Sequence, residues 1–367
     1  MFIRIVLLIW TALNAYVIWR ISTVPIVAKY TGRWPMIIIG VFLWGSFLLP
    51  RFIDETRAGA ISRAFEIFGS IWLGVLFLLF CSFLVVDVFT LFGLVFKSAV
   101  PALRTGAFAL GLLLSAIALV QGFRAPAVSN YEVKMKNLPS GYDGLVVAAI
   151  SDLHVGAILD GDWTAARVRQ VNALKPDLIV VVGDIVEGHG DGQRETRIMS
   201  ALNGLSAPLG VWGVTGNHEH YSRRAGVDAY HDAGIRMLHD QWQELRPGLV
   251  LAGIDDPGGG VVTDTSGQIR KTLGSITGDP AIIFLSHRPQ GAEEAADYGV
   301  GLMLSGHTHG GQIWPFNYIS RLFNPLMAGR YDIKGTPIIV CRGTGTWGPR
   351  MRLWQRGEIL KITLRAE

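Results

Sequence analysis

Residues 145–154 read LVVAAISDLH, and residues 178–184 read LIVVVGD. Short apolar, β-branched runs closed by polar residues are the pattern of buried strands. The pattern recurs at residues 210–215 before Gly216-Asn217-His218-Glu219. It recurs again at 281–285 before Ser286-His287, and at 302–304 before Ser305-Gly306-His307-Thr308-His309. Helical patterns at 163–174, 194–202 and 290–297 lie between the runs. This alternation predicts an α/β domain, and in such sheets ligands bind beyond the carboxyl ends of the strands. Every polar cluster falls at such an end, so five clusters point at one rim.

The residue types in those clusters suit a pair of divalent cations about 3.5–4 Å apart. Such a pair needs a carboxylate able to bridge both ions, neutral imidazoles, a few oxygen ligands, and open positions for water and substrate. Ligation by nitrogen and oxygen without thiolate suits Mn, Fe, Zn or Co. Asp152 and His154 are two apart and share a side of an extended chain. Gly183 and Gly216 allow close backbone approach. A lone histidine is ordinarily a core or surface residue, and a lone aspartate at a strand end is ordinarily a helix cap. That plain reading serves any one cluster and does not serve five together.

The set D-x-H, G-D, G-N-H-E, H and G-H-x-H, carried by residues 145–364, resembles the calcineurin-like metallophosphoesterase superfamily. Together with an apolar N-terminal region it is similar to the transmembrane-protein-with-metallophosphoesterase-domain group. The tail Cys341-Arg342-Gly343-Thr344-Gly345-Thr346-Trp347-Gly348 also resembles that group's C-terminal motif. The resemblance implies a β-sandwich flanked by helices, preceded by an all-α transmembrane region of about four helices. It implies two metal sites: Asp152, His154 and His309 for one ion, Asn217, His287 and His307 for the other, with Asp184 bridging. The ions would be Mn, Fe or Zn, and a hydroxide between them would be the nucleophile, because two cations lower the pKa of bound water. His218 would protonate or stabilise the leaving group, with Glu219 orienting its ring.

Departures from sister families narrow the resemblance. Purple acid phosphatases carry a tyrosine three residues after the G-D aspartate, where this chain has Glu187. Ser/Thr protein phosphatases have arginines near these loops; residues 183–190 contain none, and Arg223 and Arg224 are off the pattern. The soluble lipid A pathway hydrolase has arginine where His218 stands. Arg342 and His220 are candidates for substrate contact, as is His189, while His231 and His239 have no place in the scheme. Residues 258–260, Gly-Gly-Gly, lack the following Gly-Lys-Ser/Thr of a phosphate loop and read as a surface turn. Residues 313–331 mix aromatic side chains with Arg321 and Arg330. They read first as a loop packed on the sheet and second as a segment lying on a bilayer.

Outside this domain the chain changes character. Of 367 residues, 50% are hydrophobic and 17% charged, against roughly 25% charged in a typical soluble domain. Residues 1–124 hold ten Lys+Arg against four Asp+Glu and no histidine, whereas the remainder holds 23 against 25 and all nine histidines. No basic patch suggests nucleic acid, and two cysteines, Cys81 and Cys341, exclude a disulfide scaffold. Four apolar runs, near residues 5–19, 36–49, 67–86 and 105–123, approach the ~20 residues a helix needs to cross a bilayer. A signal peptide is the rival reading of the first, but no small-residue cleavage site precedes Arg20. Asp87, just past the third run, reads as an interfacial residue at a helix end.

The expected organisation is therefore a helical membrane region over 1–124, a linker over 125–144 and the phosphoesterase domain over 145–367. With four spans, Lys+Arg on the side of the termini outnumber those opposite by seven to five. The positive-inside rule then puts the catalytic domain on the cytoplasmic side of an inner or plasma membrane. The resemblance implies a membrane-anchored phosphoesterase or pyrophosphohydrolase on a lipid-linked phosphate, with UDP-2,3-diacylglucosamine of lipid A synthesis the named candidate. The bilayer would be its partner. A phosphodiesterase or nucleotide hydrolase for soluble substrates is the alternative, and a non-catalytic scaffold is disfavoured because no ligand is missing.

Overall fold

The computed structural model describes residues 2–52, 55–187, 192–220, 230, 232–258 and 264–367. His189, Arg223, Arg224, His231, Gly259 and Gly260 lie outside the described residues. The chain divides into two compact units, Met1–Arg124 with Gly348–Trp354, and Ala125–Trp347 with Gln355–Glu367.

The first unit is helical: α1 (Phe2–Ser22), α2 (Pro25–Tyr30), α3 (Arg33–Ser46), α4 (Glu55–Phe89) and α5 (Val100–Phe123). Among the described residues three stretches are long and apolar enough to cross a membrane: Arg4–Ser22, Gly59–Phe89 and Val100–Phe123. The run at 36–49 is the exception. It falls in α3, whose 14 residues rise about 21 Å, short of a ~30 Å hydrocarbon core.

Asp87 stands two residues before the end of α4. It is fully buried, and its Oδ2 lies 2.6 Å from Arg20 Nε and accepts the Tyr16 hydroxyl at 2.5 Å. Arg104 Nη2 stands 3.7 Å from Oδ1. A carboxylate removed from water is tolerable only when paired and hydrogen bonded, and the partner, Arg20, comes from 67 residues away, which no local pattern reveals.

The second unit has two six-stranded sheets. The first contains β1 (Ala127–Met135), β2 (Val146–Ile150), β3 (Leu178–Val182), β4 (Val211–Val214), β5 (Arg236–Met237) and β12 (Glu358–Ala366), in the order β1-β12-β2-β3-β4-β5. The second contains β6 (Gln241–Arg246), β7 (Leu249–Ile254), β8 (Ala281–Ser286), β9 (Leu302–Ser305), β10 (Gly329–Ile333) and β11 (Thr336–Val340), in the order β10-β11-β9-β8-β7-β6. Residues 127–135 thus form an edge strand paired in parallel with β12, where a linker was expected. Ser129, Asn130, Glu132 and Lys134 hide it, because an edge strand half open to water needs no apolar run.

The sheets face each other because side chains alternate along each strand. Val147, Ala149, Val180, Val182, Ile283 and Leu285 point into the core between the sheets. Ala148, Ile150, Ile179 and Val181 point outward against α6 (Gly161–Asn172) and α7 (Gly192–Leu202). On the other side Ile282 and Phe284 meet α8 (Thr265–Leu273) and α9 (Ala292–Asp297). β2, β3 and β8 are buried on both faces, which is why they read as unbroken apolar runs. The result is a β-sandwich flanked by helices. Full burial of each Val, Leu or Ile contributes about 1.5–3 kcal/mol, so the strand ends are held firmly.

Candidate metal centre

The five polar clusters sit beyond the carboxyl ends of β2, β3 and β4 in one sheet and β8 and β9 in the other. Hydrogen bonding between strands continues into the loops. Asp152 N–H donates to the Gly183 carbonyl at 3.0 Å, His154 N–H to the Asp184 carbonyl at 3.1 Å, and Gly306 N–H to the His287 carbonyl at 2.8 Å. Gly183 has φ +75°, and a Cβ there would stand 2.5 Å from His287 Nδ1 and 2.8 Å from Gly216 Cα. Glycine at 183 therefore lets three strand ends close on one point. The backbone is strained where the functional side chains emerge: φ is 51° at Asp152, 45° at His154, 52° at Asp184, 71° at His307 and 51° at His309. A left-handed conformation costs an L-residue about 1–2 kcal/mol, and it persists where flanking structure enforces it, commonly at functional sites.

Three groups of donor atoms result among the described residues, one of them His154, Glu187 and His218. In each of Asp152, His154, His309 and of Asp184, His287, His307, the donor atoms lie within 4.8 Å of one another. His154 Nε2 is 2.9 Å from His309 Nε2, and Asp152 Oδ1 is 3.3 Å from the same nitrogen. Asp184 Oδ2 is 3.2 Å from His287 Nε2 and 3.7 Å from His154 Nε2, so this carboxylate joins the two groups. Asn217 lies between Gly216, which is pressed against Asp184, and His218, whose N–H donates to Asp184 Oδ1 at 2.8 Å.

Charge and hydrogen bonding suit cations. His287 Nδ1 bonds the Val182 carbonyl at 2.8 Å, which turns Nε2 toward Asp184. Burial alone would lower the His287 pKa, but the carboxylates of Asp184 and Asp152 outweigh it and push His287 up to about 10. The centre therefore draws positive charge onto a buried imidazole, a charge that a cation would supply instead. Burial and the neighbouring charges of His287 and Arg288 drive His307 down to about 3, leaving it a neutral donor. Burial pushes Asp152 up. Asp184 is held well below the usual carboxylate range because His287 and His154 overcome its burial. Asn217 Oδ1 is buried with no hydrogen-bond partner among the described residues, a costly state that metal ligation would relieve.

The carboxylate that orients His218 is Glu187, not Glu219. Glu187 Oε2 lies 2.6 Å from His154 Nδ1 and 2.9 Å from His218 Nδ1. Burial works against it, but these two imidazoles hold Glu187 down to about 2. In turn Glu187 outweighs burial at His218 and raises that ring to about 8. Glu219 is buried elsewhere, accepting the N–H groups of Asp184 at 2.9 Å, Ile185 at 2.7 Å and Gly216 at 2.5 Å, and the Tyr230 hydroxyl at 3.1 Å. It ties the G-D loop to the G-N-H-E loop. A carboxylate one residue from a histidine reads as its partner in sequence, yet in these loops it turns inward to meet unpaired backbone donors. The usable signal for Glu187 is its position three residues after Asp184.

Of the three candidates for substrate contact, Arg342 and His220 are described, and both have partners within the chain. Arg342 Nη2 is 3.4 Å from the buried Glu358, and its backbone N–H also donates to that carboxylate at 2.8 Å. His220 is hydrogen bonded to the Asp256 carbonyl. Arg288, adjacent to His287, was not singled out by sequence; its Nε lies 2.8 Å from Asp256. His239 bonds Asp255 at 2.9 Å, away from the donor groups.

Residues 145–311 match the family model described as calcineurin-like phosphoesterase. A Danio rerio protein called "transmembrane protein with metallophosphoesterase domain" is 33% identical over 300 residues, which cover 73% of this chain and 66% of that protein. A Bos taurus protein of the same description is 33% identical over 276 residues, covering 69% and 60%. The chain thus spans less than two thirds of the length of these two relatives. An Aquifex aeolicus protein described as an uncharacterized metallophosphoesterase is 34% identical over 248 residues, covering 65% of this chain and 92% of that protein. On that match, and on the donor groups at the strand ends, the chain belongs to the calcineurin-like phosphoesterase family.

Proposed function

We propose that this chain is a metal-dependent phosphoester hydrolase that works on a substrate carried in a membrane. The observation that carries the reading is the pair of three-residue donor groups joined through Asp184 Oδ2. Asp152, His154 and His309 would hold one divalent cation, Asn217, His287 and His307 the other, with Asp184 shared. Manganese, iron and zinc all suit this donor set. Bound there, the cations supply Lewis acidity and a water of lowered pKa.

The protein's own groups do the rest. Glu187 fixes the His154 ring through Nδ1, leaving Nε2 to the donor group. Ser151 Oγ donates to Asp152 Oδ2 at 2.6 Å and His307 N–H donates to Asp152 Oδ1 at 3.0 Å, which leaves this carboxylate little freedom to turn. His218 keeps its proton up to about pH 8 and would deliver it to the departing oxygen.

The apolar helices support the substrate class. An enzyme tethered to a bilayer meets a lipid-linked phosphate at high effective concentration. A lipid-linked pyrophosphate such as UDP-2,3-diacylglucosamine is the specific candidate. Purified full-length protein in detergent should hydrolyse bis-p-nitrophenyl phosphate with Mn²⁺ and stop with EDTA. Inactivity across Mn²⁺, Fe²⁺ and Zn²⁺ would refute the hydrolase. A preference for bis-p-nitrophenyl phosphate over UDP-2,3-diacylglucosamine in kcat/KM would refute the substrate class alone.

A further inference from the structure

Residues 313–331 only partly pack on the sheet, through Leu326 and Tyr331. They contain a helix, α10 (Phe316–Phe323), that has no buried residue. Phe316, Ile319, Leu322 and Phe323 share one face at helical spacing, and all four are exposed, Leu322 by 80% and Phe323 by 75%. Tyr318 and the preceding Trp314 are exposed beside them. The polar Asn317 instead faces inward, against Gly311, in the turn that carries His309. A soluble helix buries its apolar face; this helix leaves its apolar face open to solvent.

We infer that α10 lies in the surface of a lipid bilayer and so sets the candidate metal centre at the headgroup level. Three observations choose a bilayer over a protein partner. Among its described residues the same chain carries three helices long and apolar enough to span a membrane, and only residues 124–126 separate the last of them from β1. The composition is that of an interfacial anchor, with aromatic and aliphatic side chains on one face and a basic residue, Arg321, on the other. Finally, residues 298–331 contain no Asp or Glu but hold Arg321 and Arg330, which suits anionic headgroups. The inference deepens the membrane-substrate reading and rests on it only for its kinetic consequence. A helix seated in the interface and braced on the His309 turn would present that centre to phosphates near the acyl boundary.

The test uses the full chain reconstituted in phosphatidylglycerol-containing vesicles. A bimane label is placed at Leu322→Cys, with Cys81→Ala to remove background labelling. A control label goes at Gln243→Cys, on β6 at the far edge of the second sheet. Lipids brominated along the acyl chain should quench the label at 322 severalfold more than the label at 243. Equal quenching at both positions overturns the proposal. So does a label at 322 that reports a dry environment without quenching, because the face would then be covered by protein. The double variant Leu322→Glu, Phe323→Glu should lower kcat/KM at least tenfold on a vesicle-embedded phosphodiester. On bis-p-nitrophenyl phosphate in water it should stay within twofold. An equal loss on both substrates means that the helix merely supports the fold, and overturns the proposal. If wild type hydrolyses neither substrate while the label at 322 is quenched, the hydrolase reading fails and the docking surface stands.

Discussion

One oxygen of Glu187 lies 2.9 Å from Nδ1 of His218. The same oxygen lies 2.6 Å from His154 Nδ1, so a single carboxylate orients both a donor of the centre and the ring proposed as its acid. Exchanging Glu187 for Gln should therefore do two things at once. It should lower metal affinity or activity 10–100-fold, as loss of such a supporting carboxylate commonly does. It should also move the alkaline limb of the pH–rate profile. With Glu187 present, His218 loses its proton near pH 8, so activity should fall as pH rises through about 8; without it the fall should move toward the ordinary 6.5. A profile of kcat against pH for both proteins checks this, and an unmoved limb would exclude His218 as the acid.

The same pair shapes stability. His218 has a raised pKa, so its share of stability is complete below 6.5 and is lost as pH rises through about 8. Glu187 has a lowered pKa, so its share is present above 4.5 and is lost as pH falls toward about 2. Thermal unfolding of wild type and Glu187→Gln should diverge most between pH 4.5 and 6.5, where both shares are present in the wild type, and converge at either extreme.

Glu219 should behave as a structural residue. Glu219→Ala leaves the N–H groups of Asp184, Ile185 and Gly216 without their acceptor, and one buried unsatisfied group costs about 1–3 kcal/mol. Tm should drop by several degrees and bound metal should decrease with it. His218→Ala should lower activity while, above pH 8, where its share of stability is lost, leaving Tm nearly unchanged. A Glu219→Ala protein of normal Tm and reduced kcat would instead put Glu219 in the chemistry.

Within the helical unit, Asp87→Asn leaves the buried Arg20 without its counter-ion. Breaking one half of such a pair costs about 3–5 kcal/mol, so the detergent-solubilised variant should unfold at a clearly lower temperature. Replacing both residues, with Arg20→Met and Asp87→Leu, should recover most of the loss. If Asp87→Asn alone is neutral, the pair is not a structural element.

Much of the centre could be read before the fold was known. Strands buried on both faces keep an apolar residue at every position, so β2, β3 and β8 announce themselves, and the donors follow directly on their ends. The edge strand β1 was illegible because its exposed positions are polar. The partners of His218 and Asp87 were illegible because they are set by tertiary approach: Glu187 beat the adjacent Glu219, and Arg20 reaches Asp87 from another helix. The exposure of α10 was hidden for a related reason, since an apolar face reads the same whether it packs on a sheet or lies outside it.

The central claim is that Asp184 holds two cations together. Metal content per chain should be measured by inductively coupled plasma mass spectrometry on full-length protein dialysed against Mn²⁺, beside Asp184→Asn of matched Tm. The account predicts two ions per wild-type chain and at most one in the variant. Wild type with one ion or none, or a variant that still retains two, would contradict it.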